Sequence, residues 1–373
     1  MYQETVNQLI EIHKHLVQIK ELGLASQFEI GDFHLKCLLG MTSGQAMLFS
    51  EFLELKISLI TGRNDLRENE RKQTKKPYLK NDSIVKDIIV LLTRLKSKIV
   101  KCSLTEQNFF WDSELYWGIK RYHETLDIYQ QRLEQWLQIG ITPKSQLSLH
   151  QGLLRDCDIK ELQISNMEQQ LTPKPLTKDD LRDPLLKAAY LCSNAYLEVS
   201  AIEILSDLIN QSDHFTKLPK WGRMGLIHQL IEECQHAQLL AQRVEQLGFE
   251  LGVSTASTHT WNCYQRFSDY SEKIVAQQIV QEGVGLDSSA MNIKRFESLA
   301  DKISHELYKK ITSDEFNHVK LGVSLVKFLR PDDYDDVFHQ TNRSVRLNDP
   351  LPDVTEFVEL KKKAGYEESW LKC

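Results

Sequence analysis

The chain predicts an all-α protein with two helical domains. Apolar residues recur at three- and four-residue intervals along most of it, the alternation of β-branched residues that marks strands is almost absent, and proline and glycine gather at a few points of punctuation. Four helices are expected in the N-terminal part, at about 3–23, 32–61, 82–100 and 105–138. Thr61-Gly62-Arg63-Asn64 ends the second, and Lys76-Pro77 disfavours helix in the polar run that follows. Asp82 and Ser83 are suited to cap the third. Four amphipathic helices of this length can close a bundle, so 1–140 is expected to be one domain.

From Ile139 to Asp183 the periodicity weakens, and Pro143, Pro173 and Pro175 interrupt it. The stretch 141–183 therefore reads as a linker, with one short helix expected near 158–169. A second bundle, 184–330, begins at Asp183-Pro184, where proline takes the first helical position. Its helices are expected at about 184–210, 219–246, 258–282 and 296–329. Arg330-Pro331 stops the last, and 331–373 reads as a tail packed on the bundle.

Composition bounds the function. Of the 373 residues 41% are hydrophobic and 26% charged, as in an ordinary globular protein. No apolar run reaches the roughly 18 residues that span a bilayer, and the opening MYQETVNQLIEIHKHL has helical periodicity rather than a basic flank and an apolar core. A cytoplasmic protein without membrane contact is expected. The seven cysteines are scattered without any Cys-x-x-Cys, so they read as reduced packing residues rather than a disulfide framework or thiolate zinc site. A net charge of −6 gives no general attraction to nucleic acid, and the basic runs Arg71–Lys76 and Lys361–Lys363 read as solvated surface.

The chemistry is carried by two Glu-x-x-His pairs, Glu233/His236 and Glu315/His318, with lone glutamates Glu198 and Glu282 standing 35 and 33 residues before the respective pair. With 12 histidines in the chain, roughly one Glu-x-x-His is expected by chance, so the weight lies in the matched repetition. A Glu and a His three apart share a helix face. Glu233 shares its face with Leu226, Gln229, Leu230, Ala237 and Leu240, and Glu315 with Tyr308, Ile311, Thr312, Val319 and Gly322. On the first helix Glu198 and Glu203 compete. They are about 140° apart, and Glu198 has the more apolar companions, Ala195, Ala201, Ile202, Leu205 and Leu208. On the third, Glu282 lies with Val275, Gln278, Ile279, Gly285 and Leu286, while Glu272 and Glu297 suit the role less well.

Four carboxylates buried together repel unless metal compensates them. Mixed oxygen and imidazole donors suit iron or manganese. The expected ligands are thus Glu198, Glu233, His236, Glu282, Glu315 and His318, the donor set of a ferritin-like, carboxylate-bridged di-metal four-helix bundle. Two Fe ions are expected, with Mn/Fe as the alternative. Tyr308 is a candidate neighbour of the ligands, although a core tyrosine is the commoner reading. Glu11/His15 and His123/Glu124 form no complete second set.

Residues from about 186 to 370 resemble the ferritin-like family catalogued as domain of unknown function 455. The resemblance is carried by Tyr196-Leu197-Glu198-Val199-Ser200-Ala201-Ile202-Glu203, Glu232-Glu233-Cys234-Gln235-His236 and Gln246-Leu247-Gly248. It continues through Glu282-Gly283-Val284-Gly285-Leu286-Asp287, Asp314-Glu315-Phe316-Asn317-His318, Asn348-Asp349-Pro350 and Lys363-Ala364-Gly365-Tyr366. It implies a bundle able to hold two metals, without an established reaction. The family usually has a His two residues before the first-helix Glu and an Arg near the Ala-Gly of the tail; here Tyr196 and Lys361 to Lys363 stand in those regions. The spacing is also similar to that of ubiquinone-biosynthesis hydroxylases and, more distantly, tRNA hydroxylases.

The function expected is a non-haem di-iron oxidase or hydroxylase that uses O2, an external electron donor and a small organic substrate. A modified tRNA is the one nucleic-acid partner left open, and a homodimer is compatible with the sequence. The rivals are an iron-binding or ferroxidase-type protein and a metal-free helical interaction scaffold.

Overall fold

A computed structural model describes residues 2–27, 33–61, 81–101, 113–139, 177–254, 259–346 and 358–372, and the described residues include no strand. The chain divides into two compact units, Met1–Leu153 and Leu154–Cys373. The linker helix expected near 158–169, the run Arg71–Lys76, Asn348-Asp349-Pro350, Cys102, Cys157 and Cys373 lie outside the described residues.

The first unit contains α1 (Tyr2–Ser26), α2 (Phe33–Thr61), α3 (Asn81–Lys101) and α4 (Ser113–Ile139). Helix α1 packs on α2 and α3, and α4 closes against both of these. Gly23 allows the closest approach of α1 and α2, since a Cβ there would meet the Ser43 side chain at 1.9 Å. Phe49 of α2 stacks on Tyr122 of α4 at 4.7 Å, and Lys98 of α3 reaches Glu11 of α1 at 3.2 Å.

The second unit is built on α5 (Pro184–Asn210), α6 (Lys220–Gln246), α7 and α8 (Lys302–Leu329). Helix α7 runs through three consecutive stretches, Tyr270–Ile274, Val275–Gln281 and Glu282–Ser298, the middle one a π-helix. Asp183 caps α5 by accepting from Leu185 and Leu186 N–H at 2.8 and 3.3 Å, ahead of Pro184. Gly248, at φ 86°, ends α6 in the left-handed conformation that glycine adopts without strain.

Paired residues define the directions. Gly222 with Leu325, Glu232 with His318, His236 with Asp314 and Arg243 with Ser304 run α6 antiparallel to α8. Gln278 with Gly322 and Ile293 with His305 do the same for α7 and α8. Tyr190 with Asn292 and Leu208 with Tyr270 set α5 antiparallel to α7, whereas Lys187 with Asp301 and Asn194 with Tyr308 set it parallel to α8. The order is therefore up, down, down, up, and the connection from α6 to α7 crosses the length of the bundle. That connection contains the short helix His259–Gln265.

The third helix of this unit differs from the one expected. It begins later, at Tyr270, and passes through Glu282 to Ser298 instead of stopping there. Gly283 and Gly285 serve close packing inside this helix. A Cβ on Gly283 would meet the Tyr366 hydroxyl at 2.2 Å, and one on Gly285 would lie 3.4 Å from a Glu315 oxygen. The tail packs against α7 through α9 (Tyr334–Arg346) and through Leu360, Ala364, Tyr366 and Trp370. Phe338 stacks on Trp370 at 4.1 Å, and Lys361 pairs with Asp287 of α7.

Candidate metal centre

Glu233 stands on the inward face of its helix, where Leu226, Leu230, Ala237 and Leu240, three, four and seven positions away, are buried. The structure brings all six predicted residues together. Glu198, Glu233, His236 and Glu315 can each offer one atom to a group whose members all lie within 4.8 Å of one another; Glu233, Glu282, Glu315 and His318 form a second such group. Glu233 and Glu315 belong to both. Glu203 is buried as well, but it is not among these atoms. Among the described residues no other cluster of this kind occurs, and in the first unit Glu11 bonds Lys14 and Lys98 rather than pairing side chain to side chain with His15.

The two imidazoles present the same edge to the centre. His236 Nδ1 lies 3.4 Å from Glu233 and 3.9 Å from both Glu198 and Glu315. His318 Nδ1 lies 3.1 Å from Glu233, 3.6 Å from Glu315 and 3.9 Å from Glu282. The outer nitrogens are held across the bundle. His236 Nε2 meets Asp314 at 2.9 Å, and His318 Nε2 meets Glu232 at 2.9 Å. Each acid precedes the glutamate of the opposite pair, so α6 orients the imidazole of α8 and the reverse. A carboxylate accepting from Nε2–H leaves the Nδ1 lone pair facing inward.

Electrostatics reflects the crowding. Burial, with the carboxylates of Glu233 and Glu315 beside it, pushes the Glu198 carboxyl well above the usual range. Burial and the neighbouring Glu282 and Glu233 do the same to Glu315. Burial opposes ionisation of Glu233 too, but His318 and His236 next to it hold its carboxyl well below the usual range. Both imidazoles are raised despite burial, His236 by Asp314 and Glu233, and His318 by Glu233 and Glu232. Without a metal the cluster is stabilised by protons in its place.

A test of fit is whether inward atoms have protein partners. Glu233 Oε2, Glu315 Oε2, His236 Nδ1 and His318 Nδ1 are buried and accept or donate no hydrogen bond. Buried oxygen and imidazole atoms that lack hydrogen-bond partners and face one another fit a divalent cation.

Tyr308 lies beside this cluster. Its hydroxyl accepts from Asn194 of α5, its ring stacks on Phe296 at 5.5 Å, and burial together with Tyr190 and Glu198 pushes the phenol well above its usual range. Sequence reasoning gave no role to Asp314 and Glu232, although an acid directly before each Glu-x-x-His glutamate was visible. It also missed Gln277, for which no signal of regular helical spacing exists.

The family described as protein of unknown function (DUF455) matches residues 131–372. No curated protein and no solved structure matches.

Proposed function

Because the chain belongs to the DUF455 family, whose shared region contains the whole acid and histidine cluster, we propose that the second unit is a ferritin-like di-iron protein acting as an O2-dependent oxidase or hydroxylase on a small organic substrate. The observation that carries this reading is that Glu233 and Glu315 belong to both groups of converging donors, as bridging carboxylates would. The up, down, down, up order with one long crossover supports it further.

In this reading Glu198 and His236 would hold one ion, Glu282 and His318 would hold the other, and Glu233 and Glu315 would serve both. Iron bound there would supply the electrons that O2 takes up, with Mn/Fe as the alternative pair. Asp314 and Glu232 retain the Nε2 protons and keep both Nδ1 lone pairs directed inward. Glu198 is the most exposed of the ligands, at 14% of its side chain, so small molecules and water reach the cluster most directly at this edge. Tyr308 and Asn194 form a hydrogen-bonded pair on the same edge and can hold a proton near Glu198.

The test is to purify the full chain from iron- and manganese-supplemented cells, measure metal per chain, and follow absorption when the anaerobically reduced protein meets O2. About two irons per chain and a transient absorption change are expected. Glu233→Ala and Glu315→Ala should each lose the metal while the first unit stays folded. Stoichiometric metal retained in both variants would sink the ligand assignment, and iron oxidation without any consumed organic substrate would move the reading to a ferroxidase.

A further inference from the structure

The two halves of the centre use matching residues but are supported differently. Glu282 Oε1 accepts from Gln229 Nε2 at 3.0 Å, which also reaches Glu233 Oε1 at 3.4 Å, and from Gln277 Nε2 at 2.8 Å. These glutamines are 1% and 2% exposed. Both amides direct their NH2 groups at this one oxygen. Oε2 is left for the centre, 3.9 Å from His318 Nδ1. Glu198 has no such support: among the described residues no amide donates to it, and its polar neighbours are His236 and the other carboxylates of the cluster.

The reach of Gln277 depends on the π-helix. Residues five apart on an α-helix point about 140° away from each other. In the wider turn of Val275–Gln281 residue i stacks near i+5, which brings Gln277 onto the face of Glu282. Room for this turn is left by Gly322 of α8, where a Cβ would lie 2.5 Å from Gln278 Cβ and 2.9 Å from its carbonyl oxygen. From the other side the tail braces it, since the Tyr366 hydroxyl donates to the Ile279 carbonyl.

We propose that Gln229 and Gln277 are positioning residues that pin Glu282 by one oxygen, making the His318–Glu282 position the tighter, first-filled metal position and leaving the Glu198–His236 position exchangeable. The proposal rests on the metal-centre reading above. A carboxylate already fixed by two buried amides loses little side-chain freedom when it binds, whereas Glu198 must be ordered by the ion itself. Outer hydrogen-bond partners of metal ligands typically contribute about 10–100-fold in affinity.

The experiment is an anaerobic titration of the metal-free full chain with Co2+, followed by visible absorption and calorimetry. The wild type should bind in two steps, the first at least about tenfold tighter. Glu198→Gln should abolish the second step and preserve the spectrum of the first. Gln277→Met keeps side-chain length, removes the amide that serves Glu282 alone, and should weaken the first step about tenfold or more while leaving the second unmoved, whereas Gln229→Met also removes a donor to Glu233 and should weaken both. Tyr366→Phe, which removes the hydroxyl that braces the π turn, should weaken the first step alone and serves where Gln277→Met does not fold. Two equal steps in the wild type, or unchanged steps in the folded variants, would overturn the clamp and leave the metal centre standing. No Co2+ binding by the wild type would overturn both.

Discussion

Glu315 shows how one residue's environment sets a measurable pH response. Its folded carboxyl titrates above the ordinary 4.5, as does that of Glu198, so both cost stability at pH values above 4.5. His236 and His318 titrate above the ordinary 6.5, so they contribute stability at low pH and lose it as pH rises through their folded values. The two effects have the same sign. The metal-free second unit should therefore melt at a higher temperature as pH falls from 8 to about 5, with Glu233 opposing only below 4.5. Glu315→Gln should flatten that rise in a series of thermal melts, and an unchanged slope would count against the proton-sharing cluster. At this scale much was legible: a rotation of about 140° separates Glu198 from Glu203, and the structure groups Glu198 with the other donors. The outer acids were not legible, because a contact between Glu232 and His318 crosses 86 residues of sequence.

At the scale of the element, the turn between α7 and α8 joins strain to capping. Ala300 has φ 55°, a left-handed conformation that costs a residue with a Cβ about 1–2 kcal/mol. Ala300→Gly should raise stability by about 0.5–1 kcal/mol in urea unfolding. The next residue, Asp301, caps α8 through the Ser304 N–H at 3.1 Å and also meets Lys187 at 2.9 Å and Arg243 at 3.0 Å. Although burial opposes it, Lys187, the Ser304 N–H and Arg243 hold the carboxyl down to about 2, from an ordinary 3.8. Its contribution is therefore complete above pH 3.8 and disappears as pH falls towards 2. Asp301→Ala should cost about 2 kcal/mol near neutral pH and progressively less below pH 4, which denaturant melts can follow. Helix positions were largely readable from apolar spacing, as α6 and α8 illustrate. The course of α7 was not, because regular apolar spacing marks neither its start at Tyr270 nor the π turn over Val275–Gln281.

At the scale of the whole molecule, the two compact units should respond separately to metal. An ion at one hundred times its dissociation constant stabilises the form that binds it by about 2.7 kcal/mol. For a unit of this size that raises the melting temperature by about 5–10 °C. Calorimetry should show the gain in the transition of Leu154–Cys373 and none in that of Met1–Leu153. A shift in the first unit's transition would contradict the confinement of the donors to the second. The all-α class was readable from periodicity because helices declare themselves locally. The helix directions were not, since they depend on contacts such as Tyr190 with Asn292 that no local pattern encodes.

The crossed acids on α6 and α8 imply something about assembly. Because Glu232 supports the histidine of α8 and Asp314 supports that of α6, neither hairpin contains a finished half of the centre. Each supplies three inner donors and one outer acid for the opposite hairpin's histidine, in the manner of a handshake. The site is thus an internal interface with approximate two-fold character, of the kind two copies of a single hairpin would form by dimerising. Its donors can converge only after both hairpins have docked.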